Sequence, residues 1–185
     1  MHSPEERRRL LDVAAAAIRH GLETGRPLPI RLKDYPESLR EPGATFVTLN
    51  LDGQLRGCIG SLKASRPLVE DVAENAFAAA FRDPRFPPLR PEEYPRLEYH
   101  ISILNPPEPM TVTSEADLLQ QLRPGVDGLV LIEGARRATF LPSVWAQLPD
   151  PRQFLAHLKM KAGLPADHWS DNLRFERYTV EEFGS

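Results

Sequence analysis

The segment Leu55-Arg56-Gly57-Cys58-Ile59-Gly60 sets the chain's single cysteine between two glycines and two residues from an arginine. A thiolate is the nucleophilic form of cysteine, and a nearby guanidinium favours it over the thiol. On one strand, Arg56 and Cys58 share a face with their Cα atoms about 6 to 7 Å apart. A free cysteine is equally a small hydrophobe that packs without reacting. Cys58 therefore has two readings, a thiolate held by Arg56 and a packed side chain. Two glycines inside a strand weaken it, which marks a bulge or a close approach to the backbone, so Gly57 and Gly60 are assigned to ligand binding. A nucleophilic cysteine needs a base. His100 and His157 are the candidates, each with a plainer reading: an exposed sheet histidine for His100, and for His157, with Lys161 four residues on, a cationic helix end that suits the helix dipole. Lys161 is placed with Arg56 as the holder of an anionic or carbonyl group. No HExxH, paired cysteine or Asp-rich calcium loop occurs, so no metal ligands are assigned and no cofactor is named. Ser61 lacks a nucleophile elbow and no Gly-rich phosphate loop is present, which leaves acyl-serine chemistry and nucleotide hydrolysis without support.

The elements that must position these residues follow from periodicity and turn chemistry. Residues 44–51 and 54–61 read as a hairpin around Asp52-Gly53. With Asn50 opening a type I turn and Gly53 closing a three-residue loop, Asn50 pairs with Gln54, Thr48 faces Arg56 and Phe46 faces Cys58. Val47, Leu49, Leu55 and Ile59 then gather on the opposite face. An unbulged two-residue loop would set Arg56 and Cys58 among aliphatics. Residues 68–81 repeat apolar types at helical spacing, the prolines of 83–88 end that helix, and Leu97, Tyr99, Ile101 and Ile103 alternate as a strand. The first half is thus β-β-α-β.

Ser114 and Asp117 frame a capping box for a short helix, and the pattern then repeats: a hairpin over 128–133 and 137–141, a helix from Asp150 to Ala162, and a strand over 173–180. Ser3, Pro4 and Glu6 start an N-terminal helix over roughly residues 4–22. The expected fold is α+β and two-lobed, with duplicated β-β-α-β units, antiparallel sheets and an N-terminal helix. A single domain spans 1–185, with approximate lobes 1–108 and 109–185 and a cleft between them.

Composition bounds the function classes. Hydrophobic residues make up 41% and charged residues 26% of 185, ordinary globular usage. A net charge of −3 removes the general phosphate attraction of a nucleic-acid binder. No run of about 18 apolar residues can span a bilayer, and the N-terminus mixes acids with bases, so neither a membrane partner nor a signal peptide is expected. One cysteine makes no internal disulfide, while 19 prolines stiffen the loops. The expected location is the cytoplasm.

The chain resembles the AMMECR domain family. Leu55 to Gly60 looks like its signature, and further matches are Gly43 to Leu49, Asp83-Pro84-Arg85-Phe86, Ile101-Ser102-Ile103-Leu104, Phe140-Leu141-Pro142, and Lys161-Ala162-Gly163-Leu164 with Trp169. The resemblance implies a two-lobed α+β fold with the signature near the interlobe cleft. Prokaryotic members of this length look like the A component of the AmmeMemoRadiSam system, which implies a Memo-like protein and a radical-SAM protein as partners. The family pattern often has a second cysteine just before Lys-Ala-Gly, where this chain has Lys159 or Met160, which argues against a two-cysteine mechanism here. Two functions remain open: a small-molecule enzyme or ligand-binding cleft centred on Cys58 and taking a small anionic ligand, and a non-catalytic interaction module whose exposed Pro-rich segments dock those partners.

Overall fold

The computed structural model describes residues 1–185. It divides into two compact units, one of residues 1–104 with 181–185 and one of residues 105–180. The first begins with helix α1 (Pro4–Thr24), started by a reciprocal cap: Ser3 Oγ accepts from the Glu6 amide, and the Glu6 carboxylate accepts from the Ser3 amide. Leu10, Val13, Ala14, Ala17 and Ile18 make its buried stripe. A short helix α2 (Glu37–Arg40) leads into strands β1 (Pro42–Leu51), β2 (Gln54–Gly60) and β3 (Arg66–Pro67), helix α3 (Leu68–Phe81) and strand β4 (Leu97–Leu104).

The second unit contains β5 (Glu108–Pro109), α4 (Glu115–Gln121), β6 (Gly128–Glu133), β7 (Arg136–Phe140), α5 (Pro151–Lys161) and β8 (Arg174–Tyr178). A final strand, β9 (Val180–Gly184), joins the first sheet beside β4. The first sheet runs β2-β1-β4-β9, with β3 paired to the start of β1; the second runs β5-β8-β6-β7. Removing β3, β5 and β9 leaves the same arrangement twice: a hairpin whose first strand is central, then a helix, then a strand on the hairpin's other side. The fold is therefore α+β, with an N-terminal helix, two antiparallel sheets and duplicated β-β-α-β-like units. No helix is long and apolar enough to cross a membrane.

In the first unit Val47, Leu49, Ile101 and Ile103 share one core with the buried stripes of α1 and α3. Alternation sends Phe46, Thr48, Cys58, His100 and Ser102 to the other face of the sheet. A buried polar knot fastens the start of α3 to β1: Asp71, 1% exposed, accepts from the Thr45 amide and hydroxyl, Ser61 Oγ, Arg66 Nε and Asn75 Nδ2. The second unit has its own core, where Leu129, Leu131 and Phe175 meet α4 and α5 and Trp145 stacks on Phe154 at 3.8 Å.

The β1–β2 turn differs from the sequence expectation. Asp52 (φ 52°) and Gly53 (φ 79°) form a two-residue loop with both residues at positive φ, and Leu51 pairs with Gln54. This primed turn matches the twist of the flanking strands, which is why Asp-Gly favours it. The extra residue enters later: Asn50 pairs with Leu55 and Leu49 with Gly57, so Arg56 is the bulge. One inserted residue is needed in either arrangement to put Cys58 opposite the core face. Because the turn is centred on Asp52-Gly53, one residue later than a turn opened by Asn50, Thr48, not Phe46, is the residue facing Cys58.

Candidate functional site

Cys58 lies half-buried on the edge strand β2, with its Sγ 3.2 Å from Thr48 Oγ1. Such directly opposed residues bring their side chains close. The backbone of Cys58 is held from the side that a further strand would otherwise occupy. Its amide donates to Asp83 Oδ2 at 3.0 Å, and its carbonyl accepts from Arg85 Nη2 at 3.4 Å. Arg85 in turn grips Asp83 through Nε (3.0 Å) and Nη2 (2.7 Å). Hydrogen bonds from Arg85 and from the Cys58 amide hold the Asp83 carboxyl well below its ordinary range. Asp83 correspondingly raises Arg85 above the usual guanidinium value. The Asp83-Pro84-Arg85 turn thus covers the sheet edge with an ion pair and leaves the thiol on the face beside it.

Arg56 is engaged elsewhere. Its Nε and Nη2 donate to the two carboxylate oxygens of Glu93 at 2.8 and 3.2 Å, and Nη2 also reaches Pro87 O at 2.9 Å. Both side chains of this pair are under 10% exposed. The Arg56 hydrogen bonds, with one from the Arg90 amide, lower Glu93 from 4.5 to about 2. Arg56 Nη1 is buried without a hydrogen-bond partner. The cation touching the Cys58 peptide is Arg85, 27 residues along the chain, and not Arg56.

The crowding expected at the two glycines comes from the protein itself. A Cβ at Gly57 would stand 2.0 Å from the carbonyl oxygen of Ala79 in α3, and one at Gly60 would stand 2.2 Å from the Phe46 ring. Gly57 lets the helix lie directly on the bulged strand, which fixes the peptide that precedes Cys58.

His100 pairs with Thr48 across β1 and β4, so Cys58, Thr48 and His100 form one cross-strand row. Two strand spacings put His100 about 10 Å from Cys58 at the Cα atoms. No hydrogen bond joins its ring to Thr48 or Cys58. His157 and Lys161 belong to the second unit. His157 is exposed on α5, and Lys161 Nζ donates to Thr139 O at 2.8 Å with the Phe140 ring 5.2 Å away. Thr139 occupies in β7 the place Cys58 holds in β2, paired to the central strand at Val130. Each unit therefore ties this edge-strand carbonyl to a cation that follows its second hairpin strand. No group of three or more His, Cys, Asp or Glu able to hold a metal ion is present.

Thr48, Asp83 and Arg85 are the site residues that sequence reasoning passed over. The motif Asp83-Pro84-Arg85-Phe86 was visible as a helix-ending turn and as a family match, and that was the available signal.

Two antiparallel sheets of matching topology, the first carrying a lone cysteine on an edge capped by an Asp-Pro-Arg turn, define a duplicated α+β protein. The chain belongs to the AMMECR1 family, which it matches over residues 11–183. A protein from Methanothermobacter thermautotrophicus is 40% identical over 183 residues, covering 98% of this chain and 95% of that one. One from Thermotoga maritima is 41% identical over 155 residues, covering 82% and 83%. The crystal structure of an uncharacterized protein from Pyrococcus horikoshii matches with a TM-score of 0.88 at 36% identity, covering 95% of this chain and 89% of that chain.

Proposed function

We propose that the protein is a small-molecule enzyme or ligand-binding protein that works through the Cys58 thiol. The observation that carries this reading is the setting of Cys58: its sulfur meets a hydroxyl at 3.2 Å on the sheet face away from α1 and α3, while both its backbone groups are fixed by one ion pair. A fixed peptide holds a reacting sulfur in place. The Thr48 hydroxyl can donate to a thiolate, and Arg85 supplies positive charge beside it. Arg85 is 54% exposed and its Nη1 makes no hydrogen bond within the protein, so it is the group to meet a small anionic ligand. Gly57 and Gly60 serve this ligand by fixing the strand. His100, in the same row, is the candidate base, reached through Thr48 or a bound water.

Iodoacetamide alkylation at pH 7 tests the proposal. The parent should react faster than glutathione, and Arg85→Ala and Thr48→Val should each slow it several-fold. Equal rates in all three proteins, no faster than glutathione, would leave Cys58 as packing. The rival reading, an interaction module for Memo-like and radical-SAM partners, draws on the exposure of Pro84, Pro87 and Pro88 beside the site. An inert thiol combined with co-purification of those partners, lost on substituting the three prolines, would favour it.

A further inference from the structure

A cavity of about 300 Å³ opens in the second unit, with Asn105, Glu108, Arg123, Arg177 and Thr179 as its polar lining. Behind it Asp127, fully buried, accepts from the Arg123 amide (2.9 Å), Nε (3.0 Å) and Nη2 (2.6 Å). Arg177 Nη1 stands 4.0 Å from the same carboxylate and donates to Gln121 O at the end of α4. These contacts fix both guanidinium groups without consuming them. Arg123 Nη1 and Arg177 Nε and Nη2 make no hydrogen bond within the protein.

Glu108 stands directly opposite Arg177 in the β5–β8 ladder, yet no hydrogen bond or ion pair within 4.0 Å joins it to either arginine. The lining therefore holds spare cationic donors and a spare carboxylate that do not satisfy each other. A plain anion would be repelled by Glu108, and a plain amine by two guanidinium groups. A molecule carrying both charges answers both. Asn105 Nδ2 already donates to Thr179 Oγ1 at 2.7 Å, which leaves the Asn105 carbonyl as an acceptor and the Thr179 hydroxyl as a donor for a neutral polar group. The volume sits at the low end of small-molecule sites, so nucleotide-sized ligands are too large.

We propose that this cavity binds a small zwitterion of amino-acid size, its carboxylate on Arg177 and Arg123 and its protonated amine on Glu108. Paired arginines suit a carboxylate because their planar donors match its two oxygens. The site is independent of the Cys58 reading.

Ligand-detected NMR on the full chain, with the common α-amino acids as probes, tests it, alongside propionate and ethylamine as the des-amino and decarboxylated counterparts of alanine. At least one amino acid should bind, and alanine should exceed propionate and ethylamine by about tenfold. Arg177→Gln should weaken amino-acid binding by about tenfold or more. Glu108→Gln, an isosteric change at an exposed position, should abolish the preference for alanine over propionate. Cys58→Ser should leave binding unchanged, so failure of the thiol proposal and failure of this one are separable. Absence of binding by every amino acid at about 10 mM, or an unchanged preference in Glu108→Gln, would overturn the proposal.

Discussion

Glu93→Gln should cost the first unit about 3 kcal/mol of stability at pH 7. The substitution keeps the shape and removes the charge that Arg56 faces. The guanidinium is under 10% exposed and already has one nitrogen unpaired, so with a glutamine at 93 it keeps only neutral carbonyl acceptors, Pro87 O and the new amide oxygen, and faces an NH2 group where a carboxylate oxygen stood. Breaking a buried pair from one side typically costs about 3 to 5 kcal/mol. The carboxyl's own titration gives a similar figure: lowering from 4.5 to about 2 corresponds to about 3 kcal/mol of stabilisation at neutral pH. Because the folded-state value is the depressed one, this contribution is fully present above 4.5 and is lost as pH falls through about 2. The parent should therefore exceed the variant by a constant margin from pH 8 to 5, and the margin should shrink below that. Trp145 and Trp169 both lie in the second unit, so their fluorescence is the wrong probe. Urea unfolding should be followed by far-UV circular dichroism, with hydrogen exchange read on peptides covering 54–60 and 89–97. Arg56→Met combined with Glu93→Leu should recover most of the loss, since apolar side chains replace a buried pair well. A loss under about 1 kcal/mol, or a margin that persists at pH 2, would refute the view of Arg56 as a structural ion.

Gly57→Ala should destabilise by about 1 to 3 kcal/mol, because the new methyl meets a helix carbonyl that cannot move alone, whereas Gly60→Ala meets a ring that can swing and should cost less. Thermal melts decide it; equal shifts would contradict the close packing of α3 on β2. Asp71→Ala strips the acceptor from the buried Thr45 amide and from Arg66, and a loss of about 3 kcal/mol or more in urea is expected. A loss below about 1 kcal/mol would mean that water replaces the carboxylate there.

Local chemistry made much of the fold legible. Ser3, Pro4 and Glu6 announce a helix start within four residues, and residues 68–81, read as a helix from apolar spacing, are helical over that span. The hairpin was half legible. Asp52-Gly53 marked the turn, but its positive φ at both residues selects a shorter loop, and the compensating bulge at Arg56 depends on α3 packing against Gly57. The face of Cys58 followed from the single inserted residue common to both arrangements, while its cross-strand partner required the true centre of the turn. Residues 173–180, read as one strand, are instead β8 and the start of β9, because a single residue between the two gives no turn signal. The charge partners were hidden by distance along the chain. Arg56 finds Glu93 37 residues away, and Cys58 finds Asp83 25 away. Nothing in local spacing marks which acid meets which base, so proximity in sequence favoured Arg56 as the neighbour of the thiol.

The return of β9 to the first sheet bears on the order of events during synthesis. Residues 105–180 are continuous and can close as soon as they leave the ribosome, whereas the unit begun at the N-terminus waits for residues 181–185. Those residues do more than add an edge: Glu181 accepts from the His2 amide and ring and from Arg7, and the Ser185 amide donates to Tyr99 O. The nascent first unit thus spends the translation of some 76 residues without the contacts that tie His2 and Arg7 to Glu181, a window in which β4 presents an open edge to chaperones or to neighbouring chains.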